Sequence, residues 1–309
     1  MIRKSHNHLK RAAALATTAT LGAAGYFAGI AAIPATASAQ TQSSEAVSQN
    51  WAGYVDSGKN FSSVSGSWRV PAVTGSGGQG YSVAWVGLGG AGNNSSALEQ
   101  TGTASDFVNG HAEYFAWYEL VPAAQQPLKL AIHPGDQISA RVTVNGSDVT
   151  VSLADQTTGQ SVTKALHMSR PDTSSAEWIV EAPTEVSPSG STILPLADFG
   201  KVNITSATAT ADGHTGGISD SDWSTTPVQL SSDGSAGPGF VVTGFSSDGQ
   251  LVVQQQSSAG ASPSSPSGNR FSVTWQGGSN GSPTAVQLPS GFAPDGYGYG
   301  PGPFYTTLR

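Results

Sequence analysis

The sequence predicts an all-β protein, an antiparallel β-sandwich of two packed sheets with a jelly-roll or concanavalin-like arrangement. Short runs of β-branched and aromatic residues recur from Trp51 onward, separated by clusters of Gly, Ser, Asn and Asp. Nothing in this span repeats its apolar residues with the 3.6-residue period of an amphipathic helix. About a dozen short strands in one flat sheet would leave a face uncovered, which favours two packed sheets.

The clearest element is a β-hairpin around Asn145-Gly146. Apolar and polar residues alternate on both sides of this dipeptide, and Asn-Gly between two alternating runs is the strongest short-range hairpin signal. Similar runs predict strands at 67–70, 81–88, 113–120, 178–181, 201–207, 239–243, 251–254 and 270–276. The Ser- and Pro-rich stretch 257–268 predicts a long exposed loop.

Residues 1–39 are typical of an export signal. They have a basic start, an apolar stretch at 12–33 and a small-residue A-x-A site at 37–39, so we expect cleavage after Ala39 and a secreted, extracellular protein. A membrane anchor is the alternative, because the apolar stretch has the roughly 20 residues that a spanning helix needs. Its Ala, Thr and Gly content makes it weakly hydrophobic, and we expect no stable membrane insertion after cleavage.

The rest of the chain divides by composition into three parts. We expect a polar lead at 40–49, a β-sandwich domain at 50–277 and a Gly/Pro/Ser-rich tail at 278–309. The formal net charge of the chain is −7, and removal of the predicted signal leaves 9 basic against 20 acidic residues, a net charge of −11. So acidic a surface repels phosphate backbones, which argues against a nucleic-acid partner. A monomer is expected.

Several kinds of catalytic site are excluded or disfavoured. The chain has no Cys, which excludes thiol catalysis, disulfides and thiolate metal sites. Its six His are scattered without metal-ligand spacing, and no Gly-rich phosphate loop opens a helix, so neither a metal nor a cofactor is expected. A Ser-His-Asp triad stays open because spatial proximity is not readable from the sequence, although no G-x-S-x-G motif is present.

Carboxylates and amides in apolar surroundings are the remaining candidates. Gln100 follows the strand-like run 85–88 and a Gly/Asn/Ser loop, and a second place is the run Ala-Glu-Trp-Ile-Val-Glu at 176–181. Alternation places Glu177 and Glu181 on one face of that strand, where they could line a cleft. The alternative is that Glu181 is a solvated acid at the end of a strand.

At these residues the sequence resembles the glutamic peptidases, the G1 or eqolisin family of acid-acting endopeptidases. The resemblance spans most of 50–276 and implies a bent sandwich of two antiparallel sheets. Five motifs in the family's order carry it: Asn50-Trp51-Ala52-Gly53, Trp85-Val86-Gly87-Leu88, Glu99-Gln100-Thr101-Gly102, Trp117-Tyr118-Glu119 and Ala176-Glu177-Trp178-Ile179-Val180-Glu181.

The resemblance implies a role for five residues in hydrolysing protein or peptide substrates. Gln100 and Glu181 fall on the family's catalytic glutamine and glutamate, while Trp51, Trp85 and Glu119 match positions in or near the substrate cleft. Glu181 would activate water as a general base without an acyl-enzyme, and Gln100 would donate a hydrogen bond to the oxyanion. An unperturbed glutamate titrates near pH ~4.3, so activity is expected in mild acid.

Two positions depart from the family's pattern. Gly89 stands where the family's W-V-G-I-D segment has an Asp that supports the site, and Val83 stands where a small polar residue is common. Groups that orient catalytic residues also tune their pKa values, so reduced activity or a displaced pH optimum is expected. A catalytically impaired family member is therefore one alternative.

A second alternative is a secreted β-sandwich that binds carbohydrate or peptide. It would use Trp51, Trp85 and Trp117 as stacking platforms, since fold alone does not settle function. The joint presence of Gln100 and Glu181 favours the enzyme, because a binding protein has no need of both.

Overall fold

A computed structural model of the chain confirms the all-β, antiparallel fold class. It describes residues 45–75, 78–91, 95–187, 190–231, 239–245, 251–257, 259–277, 279–280 and 284–286. The predicted signal peptide at 1–39 and most of the predicted tail lie outside these residues. No helix among the described residues has the length and apolar character needed to cross a membrane.

The described residues contain 22 strands. Those in the first half of the chain are β1 (Ala46–Ser48), β2 (Trp51–Ser57), β3 (Phe61–Arg69), β4 (Gln79–Gly89), β5 (Leu98–Val108), β6 (His111–Val121), β7 (Gln126–Pro127), β8 (Gln137–Asn145), β9 (Asp148–Asp155) and β10 (Gln160–His167). The later strands are β11 (Ser175–Glu181), β12 (Thr184–Ser187), β13 (Gly190–Ile193), β14 (Lys201–Ala211), β15 (His214–Gly217), β16 (Ser224–Ser231), β17 (Gly239–Phe245), β18 (Leu251–Ser257), β19 (Gly260–Pro263), β20 (Phe271–Gln276), β21 (Ser279–Asn280) and β22 (Thr284–Val286).

One long sheet supplies both layers of the sandwich. Its strands follow the order β10-β9-β8-β3-β14-β20-β19-β16-β2-β11-β4-β5-β6-β7. The sheet curls back on itself, so that β3 and β8 pack against β4, and β8 and β9 against β5. The sandwich prediction is confirmed, with the difference that the two layers are hydrogen-bonded into one continuous sheet.

The layer formed by β2, β11, β4, β5 and β6 buries side chains on both of its faces. Trp68, Val86, Trp178 and Ile138 belong to the main core between the layers. The opposite face carries a second apolar cluster that includes Trp51, Trp85, Trp117 and Ile179. The candidate site lies on this second face.

The alternation of apolar and polar residues correctly predicted the pairing of β8 with β9. The predicted hairpin is β8–β9, with Asn145 opposite Asp148 around a turn in which Gly146 has φ +60°. Its inward residues, such as Val142 and Val151, are fully buried. The alternation predicted for this hairpin is thus confirmed.

Three segments expected to be irregular contain strands. The predicted loop at 257–268 includes β19, which pairs with β16 and β20 because Gly260 has no Cβ to collide with the Leu230 carbonyl oxygen, 2.4 Å from the Cβ position. The predicted polar lead at 40–49 includes β1, which runs parallel to β16. In the predicted tail, β21 and β22 pair with β18. Backbone pairing with distant strands, which composition does not report, decides these segments.

Candidate active site

Strand register places the predicted site residues on one face of the sheet. Glu181 of β11 lies opposite Trp51 of β2 on one side and Val83 of β4 on the other. Gln100 of β5 lies between Gly87 of β4 and Glu119 of β6. Val83 and Gly87 are four residues apart on β4, and residues that pair directly on neighbouring strands face the same way. The side chains of Glu181, Gln100 and Glu119 therefore lie on one face of the sheet.

Glu181 is buried and held by two donors. Its Oε1 accepts a hydrogen bond from Asn50 Nδ2 at 3.1 Å, and its Oε2 accepts one from Trp85 Nε1 at 2.8 Å. Only 2% of Glu181 is exposed, so the alternative of a solvated strand-end acid is wrong. Burial raises the pKa of Glu181 to about 8, against the opposing effect of the indole and amide donors.

Gln100 is paired with Glu119. Gln100 Nε2 donates to Glu119 Oε2 at 2.8 Å, and both side chains are almost completely buried. Gln100 Oε1 and Glu119 Oε1 have no hydrogen-bond partner among the described residues. Burial raises the pKa of Glu119 to about 8, and the charge of Glu181 adds to this, which couples the Gln100–Glu119 pair to Glu181.

Tryptophan rings enclose these polar groups. Trp51 and Trp85 pack edge to face with ring centroids 5.1 Å apart. A Cβ added to Gly87 would lie 2.8 Å from the Trp85 ring and 3.2 Å from Gln100 Cβ, so Trp85 reaches from Glu181 to the neighbourhood of Gln100. Trp51, Trp85 and Trp117 are at most 6% exposed, which contradicts their proposed use as open stacking platforms.

Sequence reasoning missed a group of buried acids beside the site. Asp56, Glu99 and Glu177 are completely buried. Burial raises the pKa of Asp56 and of Glu99 to about 8, and it raises that of Glu177 well above its ordinary value. Alternation indicated that Glu177 shares a face with Glu181, but no local signal shows that the charges of Asp56 and Glu99, on β2 and β5, act on it.

Asp172 occupies the space beside Gly89. A Cβ on Gly89 would lie 2.5 Å from Asp172 Cβ, and Gly89 has φ +81°, so only glycine fits there without strain. The Asp172 carboxylate accepts hydrogen bonds from Ser95 Oγ, Ser174 N and Gly90 N, and its own N–H donates to Glu99 Oε1 at 3.2 Å. Burial opposes ionisation of Asp172, but these donors outweigh it and lower its pKa.

Replacing Gly89 with alanine is expected to destabilise the protein more than the same change at Gly110. Both glycines have φ near +80°, which costs an alanine about 1–2 kcal/mol, but a Cβ at Gly110 has nothing within 4 Å. Overpacking against Asp172 should add about 1–3 kcal/mol at position 89. Urea unfolding of both variants checks this, and equal losses would contradict the close packing of Asp172.

One other cluster offers possible metal ligands. His214, Asp220 and Asp222 have ligand atoms within 4.8 Å of one another, the only such group found in the part of the chain described. His214 Nε2 and Asp220 Oδ2 are 2.9 Å apart and form an exposed ion pair when the histidine is protonated. This cluster belongs to the β15–β16 region and contacts none of the predicted site residues through a described hydrogen bond.

Comparison with known proteins shows the family to which the chain is similar. The chain matches the family model of the Peptidase A4 family over residues 49–253. It is 34% identical over 215 residues to aspergillopepsin-2 of Aspergillus niger, covering 62% of this chain and 73% of that protein. It is 32% identical over 182 residues to scytalidopepsin B of Scytalidium lignicola, covering 56% and 68%.

Solved structures show the same fold. A scytalido-glutamic peptidase with a transition-state analogue inhibitor superimposes with a TM-score of 0.56 at 24% identity, over 74% of this chain and 98% of that one. A second structure of that peptidase, with a peptide-based analogue, gives a TM-score of 0.53 at 26% identity and the same coverage. Because the family model covers well over half of the chain, this protein belongs to the Peptidase A4 family, the glutamic endopeptidases.

Proposed function

We propose that this protein is a secreted endopeptidase, active in weakly acidic solution, in which Glu181 activates a water molecule and Gln100 stabilises the oxyanion. The observation that carries the proposal is the hydrogen bonding of Glu181. Both of its oxygens accept from N–H donors, an arrangement that suits a carboxylate and orients it for proton abstraction. The substrates are proteins or peptides, and a related eqolisin is known in complex with the tripeptide Ala-Ile-His.

Gln100 is suited to the role of oxyanion donor. One N–H of its amide is held by Glu119, which orients the group and leaves the second N–H for the tetrahedral intermediate. An amide stays neutral throughout the acid range, whereas histidine would be protonated below pH ~6.5. Glu119 thus acts on the reaction by orienting Gln100, besides any contact with substrate.

The reaction consumes one water molecule and forms no acyl-enzyme. Glu181 takes a proton from the water molecule as the water oxygen attacks the scissile carbonyl carbon. The carbonyl oxygen gains the negative charge that Gln100 stabilises. Glu181 then gives its proton to the leaving amine as the C–N bond breaks, and it is again a carboxylate. These residues need no cofactor.

The pH profile tests this role of Glu181. Because a general base must be ionised, the burial that raises its pKa should move the acid limb of kcat/KM above the ordinary glutamate value of ~4.3. Val83, directly opposite Glu181, helps keep the site apolar. Val83→Thr should lower the limb by adding a hydroxyl donor beside the carboxylate.

The assay is cleavage of a denatured protein from pH 2 to 8 by the purified full chain, with an inhibitor of pepsin-type enzymes present. Activity with an acid limb at or below pH ~4.3 would contradict the role of burial. No hydrolysis by folded protein at any pH would favour an impaired family member. The mass of the protein recovered from culture medium tests secretion and cleavage after Ala39.

A further inference from the structure

Ser48 and Asn50 form a hydrogen-bonded chain that ends on Glu181. Ser48 Oγ donates a hydrogen bond to Asn50 Oδ1 at 3.1 Å. Ser48 Oγ also accepts hydrogen bonds from the backbone N–H of Asn50 at 3.3 Å and from that of Trp51 at 3.1 Å. Because the Ser48 proton is given to Oδ1, the NH2 group of Asn50 must point the other way. There it donates to Glu181 Oε1 at 3.1 Å.

The backbone reinforces this chain. The Asn50 carbonyl oxygen accepts from the N–H of Ala182 at 2.9 Å, so Asn50 contacts both the carboxylate of Glu181 and the peptide after it. Strand β1 is anchored separately, with Ser48 opposite Leu230 of β16. Ser48 and Asn50 are 7% and 6% exposed, which leaves little access for solvent to replace a lost donor.

We propose that Ser48 and Asn50 are positioning residues of the hydrolysis, in which Ser48 fixes the orientation of the Asn50 amide and Asn50 holds Glu181 in place. The proposal rests on the function proposed for Glu181. It makes strand β1, which lies in the segment expected to be a polar lead, a working part of the active site. A chain shortened beyond Ser48 would then fold with a poorly oriented base.

Two hydrogen-bond donors together fix the orientation of the Glu181 carboxylate. Trp85 holds Oε2 and Asn50 holds Oε1, so the plane of the carboxylate cannot rotate while both bonds exist. The Trp51 indole also favours the ionised form, but it makes no hydrogen bond of normal geometry with any described residue. Without Ser48, the amide of Asn50 can turn and present its oxygen to the carboxylate, which repels it.

Ser48→Ala removes the first hydrogen bond of the Ser48–Asn50–Glu181 series and leaves Glu181 itself unchanged. We expect kcat to fall about tenfold or more with little change in KM, since misplacing a catalytic group by about 1 Å costs up to ~100-fold. The acid limb should move to higher pH, because losing a donor disfavours the ionised carboxylate. Ser48→Thr keeps the hydroxyl and should restore both values, and Asn50→Ala should exceed the effect of Ser48→Ala.

Ser82→Ala is the matched control. Ser82 is a buried serine whose hydroxyl donates one hydrogen bond, to the carbonyl oxygen of Ser105 at 2.9 Å, and its side chain lies on the other face of β4. Glu119, the titratable group coupled to Glu181, is present in every variant. A change in the pH profile that appears in Ser48→Ala but not in Ser82→Ala therefore reports on Glu181.

The outcomes separate this proposal from the function on which it rests. If Glu181→Gln is inactive but folded Ser48→Ala and Asn50→Ala keep the wild-type kcat and pH profile, the positioning role is overturned and the peptidase mechanism stands. If Glu181→Gln is as active as the wild type, both fall. A titration of the Glu181 carboxyl by carbon NMR gives a readout besides activity, and an unchanged pKa in Asn50→Ala would also overturn the proposal.

Discussion

Replacing Glu181 with glutamine is expected to lower kcat on peptide substrates by about 100- to 10,000-fold, the contribution typical of a general base. Glutamine keeps the length and shape of the side chain but cannot accept a proton from water. The exposed Glu185 offers a control with the same chemical change in the following strand, and Glu185→Gln should keep full activity. Steady-state kinetics at the pH optimum measure the effect.

Stability must be measured on the same samples. Both oxygens of Glu181 accept from donors, so the NH2 group of a glutamine would face either Asn50 Nδ2 or Trp85 Nε1. Some loss of stability is therefore expected beside the loss of activity. A folded Glu181→Gln variant with wild-type kcat would refute the proposed base.

Gln100→Ala provides the companion measurement for the oxyanion donor. Removal of one such donor typically lowers kcat by about 100- to 1000-fold. Losing Gln100 also frees Glu119 Oε2 in a buried site, so unfolding should be monitored here too. Exposed Gln160 on the edge strand β10 serves as the control position. A kcat within a few fold of wild type would assign the oxyanion to another group.

Glu177→Gln is expected to stabilise the protein at pH 7 and to leave its stability at pH 4 almost unchanged. Glu177 is fully buried, and neither of its carboxylate oxygens has a hydrogen-bond partner among the described residues. Burial raises its pKa, and the neighbouring acids Asp172, Glu99 and Asp56 add to this. A neutral glutamine removes the cost of ionising a carboxyl in this place.

The direction in which stability changes with pH follows from the number of protons bound by the folded and the unfolded chain. The folded-state pKa of Asp56, Glu99, Glu119 and Glu181 is about 8, well above the unfolded value of ~4 for such groups. The unfolded chain therefore binds fewer protons between about pH 4 and 8, and stability falls as pH rises through this window. Each such group contributes up to ~1.4 kcal/mol of loss per pH unit.

Thermal and urea unfolding at pH 4 and 7 measure this dependence. The wild type should unfold at the highest temperature in acid, and Glu177→Gln should raise the free energy of unfolding at pH 7. Exposed Glu185→Gln should change neither value. An equal effect of Glu177→Gln at both pH values would show that the pKa of Glu177 is the same in the folded and the unfolded chain. Unfolding on approach to pH 8 would also set the upper limit of activity.

The departure at Gly89 has a different meaning once the packing is known. On sequence grounds, the missing side chain weakens the support of the site. In the structure Asp172 fills this space from the loop before β11 and ties Gly90, Ser95 and Glu99 together. A carboxylate is thus present beside Gly89, although it comes from another part of the chain. Val83, by contrast, places an apolar side chain directly opposite Glu181 on β4.

Most strands and the candidate site residues could be predicted from the sequence, because both predictions use the local order of side chains. Alternation in the β8–β9 hairpin records which residues face the core, whatever the rest of the chain does. The motif at 176–181 likewise indicated that Glu177 and Glu181 share a face. Strand β19 was missed because its residues look like a loop, and pairing on both sides holds it in the sheet.

The sequence by itself determined the all-β class, the acidic character and the candidates Gln100 and Glu181. Only the tertiary structure decided what surrounds them, since Glu181 is held by Asn50 and Trp85, which are 131 and 96 residues away in the chain. Their approach depends on the order and register of β2, β11 and β4 in the curled sheet. Burial, and with it the raised pKa of Glu181, follows from that packing, because desolvation depends on every neighbour in space and not on the neighbours in sequence.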